Sequence, residues 1–306
     1  MIELGFGVPT GGAWATPEAL VAVAQCAEAL GYRSVWVFQR LLYAERPRNE
    51  YYGAPGGAWP DVFRSTLDPL ASLTFVAAHT RRIRLGVSVL IMPFYAPVVL
   101  AKQLATLDVL SGGRLEVGLG TGWSVDEFEA AGAATSERGA RADEFVRCLK
   151  AVWGEDPVVF DGRFHRVPAS RIAPKPVQKP HPPILIGGYS DGVFRRAVTI
   201  GDGYTGGNIP LADLAGLVRR LRDEAARAGR DPDSVPIVCR GAYHVTPEPL
   251  ADGRRALWGS LAQVQEDVQR YEEAGVTALF LDPNFQPGGA VLDRVLDQMA
   301  ALAPRS

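Results

Sequence analysis

Short apolar runs rich in valine, isoleucine and leucine alternate along the chain with longer segments in which apolar residues recur about every 3.6 positions. The runs predict eight strands, at residues 2–8, 34–38, 83–90, 114–120, 183–188, 202–207, 235–245 and 277–282. The longer segments predict eight helices, at residues 16–31, 66–80, 96–110, 137–153, 191–200, 211–228, 260–274 and 290–302. We therefore expect an α/β fold, a closed (β/α)8 TIM barrel, with a doubly wound sheet as second choice because it shares the alternation.

Two long segments interrupt this alternation. Residues 39–65 follow the second strand and are dense in aromatic residues, glycine and proline, and residues 155–183 precede the fifth strand. Loops of this length in a compact domain usually have a function. We expect one domain over residues 1–306, in which the 39–65 segment lies like a lid over a pocket at the C-terminal face. The 155–183 excursion is expected to contain a β-hairpin with Asp161 and Gly162 at its turn.

Composition and charge narrow the function. Of the 306 residues, 47% are hydrophobic and 22% are charged, and the formal net charge is −2. The arginines are scattered, so no basic patch is present for nucleic acid or for an anionic membrane. The N-terminus lacks the pattern of a signal peptide, and no window reaches the roughly 18 apolar residues of a membrane span. We expect a cytoplasmic protein whose partner is a small-molecule substrate.

The sequence carries no motif of several common active sites. No GxSxG nucleophile elbow, no Walker motif and no GxGxxG after the first strand occurs. The four histidines do not fall at metal-ligand spacing, so no metal is expected. What remains is a set of strand ends rich in glycine and small hydroxyl residues, at the face where barrels carry their functional residues. Such a site suits a planar organic cofactor.

One strand end predicts a phosphate site. The fifth strand is followed by "GGYSDG", residues 187–192, and a helix is predicted to start near Asp191. Backbone N–H groups and the dipole at a helix N-terminus favour a phosphate there. In barrels such sites often use the loops after the later strands.

Five stretches resemble the luciferase-like monooxygenase family, particularly its branch of oxidoreductases that use the deazaflavin coenzyme F420. They are "GFGVPTGG", "ALGYRSVWVFQR", "DPLASLTFVAAHTRRIRLGVSVL", "APVVLAKQLATLDVLSGGRLEVGLGTGWSVDEFEAAG" and "PILIGGYSDGVFRRA". The resemblance implies a (β/α)8 barrel that binds F420, or alternatively FMN, at its C-terminal face. It also implies that the cofactor phosphate lies near the loop after the fifth strand, and it makes a homodimer the expected assembly.

The same resemblance implies cofactor-binding positions by number. It implies a cis peptide bond between Ser88 and Val89 behind the ring and contacts of Thr121 and Gly122 with the ring edge. The loop after the fifth strand would hold the ribityl tail and phosphate. The implied cofactor-binding residues are Phe6, Ser88, Val89, Thr121, Gly122, Gly187, Gly188, Tyr189 and Ser190.

The chain departs from the F420 branch at two positions. Gln39 stands where that branch usually carries an aspartate, and Trp123 stands where its sugar-phosphate dehydrogenases carry a glutamate after "GTG". Glutamine cannot act as an acid or base near neutral pH. We therefore expect a hydrophobic or aromatic substrate rather than a sugar phosphate. The expected substrate-pocket residues are Trp14, Trp59, Phe94, Trp123 and His244.

The expected activity is transfer of a hydride between F420 and such a substrate. The catalytic candidates are Gln39, Arg40, Tyr43 and Tyr52. Gln39 would hydrogen-bond the ring or the substrate, and Arg40 would face a developing negative charge or else pair with Glu45 or Glu50. A tyrosine of the 39–65 segment would donate a proton. Two alternatives stay open, an FMN-dependent monooxygenase that uses reduced flavin and dioxygen, and a barrel that binds a ligand without catalysis.

Overall fold

The computed structural model describes residues 1–53 and 56–304. Within this part, eight parallel strands close into a barrel, so the predicted (β/α)8 fold is confirmed and the doubly wound alternative is wrong. The barrel strands are β1 (Glu3–Gly7), β2 (Ser34–Val37), β3 (Arg84–Ile91), β4 (Leu115–Gly120), β5 (Ile184–Gly187), β6 (Gly203–Gly207), β7 (Ile237–Ala242) and β8 (Ala278–Asp282). Each strand pairs with the next one along the chain, and β8 pairs with β1.

Helices cover the outside of the barrel. In the described part they are α1 (Pro17–Ala29), α2 (Pro69–His79), α3 (Pro97–Ser111), α4 (Val125–Ala130), α5 (Arg138–Trp153), α6 (Asp191–Thr199), α7 (Leu211–Arg227), α8 (Leu261–Glu273) and α9 (Leu292–Ala301). All eight predicted helices are present, and α4 is an addition to the prediction. None of the helices in residues 1–53 and 56–304 is both long and apolar enough to cross a membrane.

A layer of side chains fills the middle of the barrel. Trp36 of β2 stacks on Phe280 of β8 with ring centroids 4.8 Å apart, and Leu185 and Val238 pack beside them. Gly86 makes room for this layer, because a Cβ at its position would lie 2.3 Å from the Trp36 ring. The layer blocks the interior below, so space for a ligand lies above it, at the carboxyl ends of the strands.

The 155–183 segment contains the expected hairpin but not the expected turn. Strands Val158–Asp161 and Arg166–Ser170 pair antiparallel, which confirms the hairpin. The two-residue Asp-Gly turn is wrong, because residues 162–165 form the connection. The buried carboxylate of Glu144 on α5 accepts hydrogen bonds from the N–H groups of residues 163–165 at 2.9, 2.7 and 2.6 Å. This contact with the barrel wall, rather than turn propensity, fixes the longer connection.

Candidate active site

A cavity of about 260 Å³, here called the ring cavity, lies at the carboxyl ends of β3 to β6. Seven of the nine positions that the resemblance assigns to the cofactor line it, namely Ser88, Val89, Thr121, Gly122, Gly187, Gly188 and Tyr189. The implied cis peptide bond between Ser88 and Val89 is present. Residues that are distant in sequence thus meet at one place, on the face of the barrel that carries active sites.

The glycines at these strand ends have two physical roles. A Cβ at Gly120 would lie 2.6 Å from Val89 Cγ2, and a Cβ at Gly187 would lie 2.7 Å from Val89 Cγ1, so both make room for that side chain. Gly122 and Gly188 have φ angles of +76° and +137°, which other residues rarely adopt. Part of the glycine pattern that predicts a ligand site therefore serves the packing of Val89, which itself lines the ring cavity.

A pair of hydroxyl groups lines the ring cavity. Ser88 Oγ and Thr205 Oγ1 lie 3.0 Å apart, and Thr205 is fully buried at the centre of β6. Each hydroxyl can donate and accept hydrogen bonds, so the pair can bind the polar edge of a flat ligand. The sequence does not single out Thr205, although its place between glycines near a strand end was an available signal.

Arg240 of β7 is the site residue that the sequence most clearly overlooks. Its side chain is 8% exposed and lines the ring cavity. Its Nε has no hydrogen-bond partner among the described residues, and its distance to the carboxylate of Asp282 is 4.0 Å. Nη2 lies 3.4 Å from the hydroxyl of Tyr51. A charged residue within the apolar run "VPIVCRGAYHV" was the signal that could have found it.

Gln39 does not reach the ring cavity. Its Oε1 accepts a hydrogen bond from the Ile91 N–H at 2.7 Å, and its Nε2 donates to the hydroxyl of Tyr95. The side chain is 3% exposed, so both polar ends are committed inside the protein. The structure therefore places Gln39 outside the ring cavity, where it fixes the end of β3, and its contact with a cofactor ring or substrate stays a prediction.

Arg40 is also committed to internal contacts. Nε donates to the carbonyl oxygen of Gln39 at 2.7 Å, and Nη1 donates to Glu127 Oε2 at 2.9 Å. The guanidinium lies between the rings of Phe63 and Trp123, at 5.1 and 4.9 Å from their centroids. This charge is paired with a carboxylate, and Arg40 does not line the ring cavity.

Glu127 on α4 is the buried partner of Arg40. Its carboxylate accepts from Arg40 and from the Leu41 N–H at 2.7 Å, and its side chain is 2% exposed. The alternative pairing of Arg40 with Glu45 or Glu50 is therefore wrong. Glu127 lies 87 positions from Arg40 in the chain and in a helix that the sequence pattern does not predict, so no local signal pointed to it.

The tyrosines of the 39–65 segment differ in position. Tyr52 lines the ring cavity, with its ring 5.9 Å from Trp123 and 5.8 Å from Tyr189. Desolvation raises the pKa of Tyr52 above the ordinary tyrosine value of about 10, at which the hydroxyl is already protonated at neutral pH. The hydroxyl of Tyr43 accepts from Arg64 Nη2 at 3.2 Å, and its ring lies under the same guanidinium, outside the ring cavity. The structure therefore brings Tyr52, and not Tyr43, to the ring cavity.

Two of the expected substrate-pocket residues line cavities. Trp123 lines the ring cavity, whereas Trp14 lines a second cavity of about 640 Å³ near the ends of β1 and β8. Tyr51 also lines this second cavity, and its hydroxyl accepts from Arg240, which lines the first. The contact between Tyr51 and Arg240 therefore lies between the two spaces.

The other three expected substrate-pocket residues do not line either cavity. Trp59 is 3% exposed inside the aromatic cluster of the 39–65 segment. Phe94 packs edge-on against Phe128 with centroids 5.6 Å apart, and His244 packs against Trp258 at 5.3 Å. Aromatic packing holds all three outside the two cavities, although the ring of Trp59 lies 4.9 Å from that of the cavity residue Trp123.

Two implied cofactor residues also lie outside the ring cavity. Phe6 points out of the barrel and packs edge-on against Tyr32 and Tyr243, at 5.5 and 5.8 Å, in the core under the helices. Phe6 lies on the outward face because inward and outward side chains alternate along β1. Ser190 is the exposed N-cap residue of α6, directly after the cavity residue Tyr189.

The chain matches a known family over most of its length. The model described as luciferase-like monooxygenase matches residues 3–251. The chain belongs to the luciferase-like monooxygenase family. The resemblance seen in the sequence is thereby confirmed at the level of the family.

Relatives of this luciferase-like protein include enzymes with different cofactors. An uncharacterized protein of Mycobacterium tuberculosis is 30% identical over 285 residues, which cover 91% of this chain and 93% of that protein. An F420-dependent glucose-6-phosphate dehydrogenase of Nocardia farcinica is 34% identical over 206 residues, 64% of this chain and 60% of the relative. An FMNH(2)-dependent dimethylsulfone monooxygenase of Pseudomonas putida is 36% identical over 164 residues, 52% and 44% of the two chains.

Solved structures share the fold of this luciferase-like protein over nearly its whole length. Monooxygenase RslO1 from Streptomyces bottropensis gives a TM-score of 0.80 at 23% identity, over 98% of both chains. An F420-dependent secondary alcohol dehydrogenase in complex with an F420-acetone adduct gives 0.79 at 18% identity, over 98% of this chain and 99% of the other. The sequence relatives of the chain thus include one protein named for its use of F420 and one named for its use of reduced FMN, and the solved structures show that the fold is shared.

Proposed function

We propose that this luciferase-like protein is an F420-dependent oxidoreductase that moves a hydride between the deazaflavin and a hydrophobic or aromatic small molecule. The observation that carries the proposal is the ring cavity, where residues of β3, β4 and β5 that the resemblance assigns to the cofactor converge. The similarity to an F420-dependent dehydrogenase supports F420 as the cofactor.

The residues of the ring cavity fit a flat ring with a polar edge. Val89 and Ile91 offer apolar surface, and the paired hydroxyls of Ser88 and Thr205 offer hydrogen bonds. The volume of about 260 Å³ lies just below the roughly 300–1,000 Å³ of small-molecule sites. This size suits the ring system alone, so the tail of the cofactor would lie outside the ring cavity. When bound there, the deazaflavin supplies or accepts the hydride.

The side chains around the ring cavity would orient the substrate and hold a proton. Trp123 and Tyr52 form an aromatic wall that favours an apolar substrate and excludes water. Tyr52 holds a proton at Oη near neutral pH, as a tyrosine does at its ordinary pKa of about 10, and would donate it to a substrate oxygen.

Cofactor titration tests this proposal. We expect purified protein to bind F420, followed by its fluorescence, more tightly than FMN. Thr205→Val and Ser88→Ala should each weaken F420 binding about threefold to tenfold, the size of one net hydrogen bond. Thr199→Val is the matched control, because that hydroxyl bonds only within α6 on the exposed surface. Tight binding of FMN without binding of F420 would show that F420 is not the cofactor.

An FMN-dependent monooxygenase is the second candidate. The similarity to an FMNH(2)-dependent monooxygenase favours it, as the two chains are 36% identical over 164 residues. Consumption of dioxygen with reduced FMN, together with loss of FMN affinity in Thr205→Val, would support this candidate over F420. If the protein binds neither cofactor, the remaining hypothesis is a barrel that binds another ligand without catalysis.

A further inference from the structure

A third cavity, of about 590 Å³, lies between α7 and α8 beside the ring cavity and is here called the arginine cavity. Four arginines line it, namely Arg240, Arg254, Arg255 and Arg270. Among the described residues that line it, none is acidic. The charge balance of these four side chains decides whether the cavity is a structural feature or a binding site.

Two of the four arginines are neutralised by α8. Arg254 forms two hydrogen bonds with the fully buried carboxylate of Asp267, one of them at 3.0 Å from Nη2. Arg270 donates to Glu266 at 2.6 Å, one turn earlier on the same helix. These pairs stabilise the cavity wall and leave little charge for a ligand.

The other two are not neutralised in this way. Arg240 lies 4.0 Å from Asp282, and that carboxylate already accepts from Asn284 Nδ2 at 2.8 Å. Arg255 forms no ion pair within residues 1–53 and 56–304, and it donates to the neutral Oδ1 of Asn208 at 3.0 Å. Two guanidinium groups therefore face one cavity with a single, poorly placed counter-charge between them. An anion would stabilise the buried Arg240, and it would also lie within reach of the exposed Arg255.

Neutral side chains hold these two guanidinium groups in place. Tyr51 Oη accepts from Arg240 Nη2 at 3.4 Å and from Asn208 Nδ2 at 3.3 Å, and Asn208 in turn accepts from Arg255. Asn208 has a φ of +57°, a conformation that asparagine tolerates better than most residues. The network orients both charges without neutralising either.

The N-terminus of α7 opens on the same cavity. Pro210, Leu211 and Ala212 line it, and no side chain caps the helix. The helix is 17 residues long, so its first N–H groups and its dipole add positive potential where the arginines already face. An uncapped helix start and a nine-tenths buried arginine with an unpartnered Nε are independent observations that favour the same ligand charge.

We propose that the arginine cavity binds an oxyanion, a phosphate or carboxylate group, through Arg240, Arg255 and the N-terminus of α7. Because Arg240 also lines the ring cavity, the anion would be held beside the proposed place of hydride transfer. It belongs either to the substrate or to the phosphate-bearing tail of the cofactor. Its role in turnover rests on the proposed function, whereas anion binding itself does not.

Titration of the cofactor-free protein with inorganic phosphate at constant ionic strength tests the site. We expect saturable binding by calorimetry, and about tenfold weaker binding in Arg255→Gln, equal to about 1.4 kcal/mol. Arg240→Gln should have a similar effect. Arg219→Gln, on the exposed face of α7, is the matched control and should bind as the wild type does. Absence of saturable binding, or an equal loss in the control, would overturn the proposal.

A second variant guards against a folding defect in Arg240→Gln. Asp282→Asn removes the carboxylate that competes with the anion for Arg240, so it should tighten phosphate binding. Weaker phosphate binding in Asp282→Asn would contradict the assignment of Arg240 to the anion.

Two cofactor forms identify the source of the anion. If it is the cofactor tail, Arg255→Gln weakens binding of F420 but not of its riboside, which lacks the phosphate-bearing tail, and phosphate competes with F420. If it belongs to the substrate, the variant leaves both affinities unchanged, and phosphate still binds to protein saturated with F420. Failure of F420 to bind at all would refute the proposed cofactor and leave the phosphate titration as a valid test of the cavity.

Discussion

Two buried arginines at the barrel mouth, Arg40 after β2 and Arg240 in β7, have opposite surroundings. Arg40 lies 2.9 Å from the carboxylate of Glu127 and between two aromatic rings, and it does not line the ring cavity. Arg240 lies 4.0 Å from Asp282, keeps an Nε without a hydrogen bond, and lines both the ring cavity and the arginine cavity. Residue type and position at a strand end are shared, so neither separates a structural cation from a binding one.

The distance to the counter-charge makes that distinction. A buried cation in direct contact with a carboxylate is already neutralised, whereas one with a distant counter-charge is stabilised by an incoming anion. We call Arg40, Glu127 and the rings of Phe63 and Trp123 the closed corner, because its charge is neutralised by direct contact. We call Arg240, Asp282 and Tyr51 the open corner, because its counter-charge is distant.

The largest effect should come from breaking the closed pair. Glu127→Gln leaves Arg40 buried without a counter-charge, and we expect the free energy of unfolding to fall by about 3–5 kcal/mol. Asp282→Asn, the matched change in the open corner, should cost clearly less, because its ion pair is already long. Equilibrium denaturation in urea measures both. Equal losses would remove the distinction between the two corners.

A smaller loss should follow from cutting the polar contacts that attach the 39–65 segment to α4. Asn49 Nδ2 donates to the Trp123 carbonyl at 3.2 Å, and Asn49 Oδ1 accepts from the Val125 N–H at 2.9 Å. Asn49→Ala should cost about 1–2 kcal/mol in the same denaturation experiment. An unchanged stability would mean that other contacts, such as those of Arg48 with Asp126, hold the segment without Asn49.

The sequence predicts the barrel well because its signals are local. Apolar runs and capped helices depend on neighbours a few positions apart, as in α1, where Thr16 accepts from the Ala19 N–H and Pro17 begins the helix. The ring cavity was largely predictable too, since glycine-rich loops follow the strands that line it. The glycines alone could not show that Gly120 and Gly187 make room for Val89, because that contact joins different strands.

The sequence could not show which charged residues of the site are free to bind a ligand, because their partners lie far away in the chain. The carboxylate that neutralises Arg40 lies 87 residues away, and the contacts that orient Arg240 come from Tyr51, 189 residues away. Whether a polar side chain is free for a ligand depends on such pairings. Gln39 illustrates this, since both ends of its amide are occupied by β3 and by Tyr95.

Titration of Asp282 in the open corner should make the free energy of unfolding depend on pH. Burial raises the pKa of Asp282, while Arg240 and Asn284 act in the opposite direction, so the folded protein binds this proton more tightly than the unfolded chain. The stabilising contribution is then complete below the ordinary aspartate pKa of about 3.9 and is lost as the pH rises through the raised pKa of the folded state.

We therefore expect the unfolding free energy of the wild type to fall relative to that of Asp282→Asn as the pH rises from about 4 to neutral. Urea denaturation of both proteins across this range gives the difference. A difference that is independent of pH, or that changes in the opposite direction, would mean that Arg240 neutralises Asp282 fully and that the corner is closed.

The smallest effect on the ligand-free protein should come from Arg255→Gln. Its side chain is exposed and its partner Asn208 is neutral, so the unfolding free energy without phosphate should stay within about 0.5 kcal/mol of the wild type. With phosphate at about 100 times the wild-type Kd, the wild type should gain about 2.7 kcal/mol, and a variant that binds about tenfold more weakly should gain only about 1.4 kcal/mol. Arg219→Gln should gain as much as the wild type. If Arg255→Gln lowers the unfolding free energy without ligand, Arg255 has a structural role, as Arg40 does, rather than a role in binding a ligand.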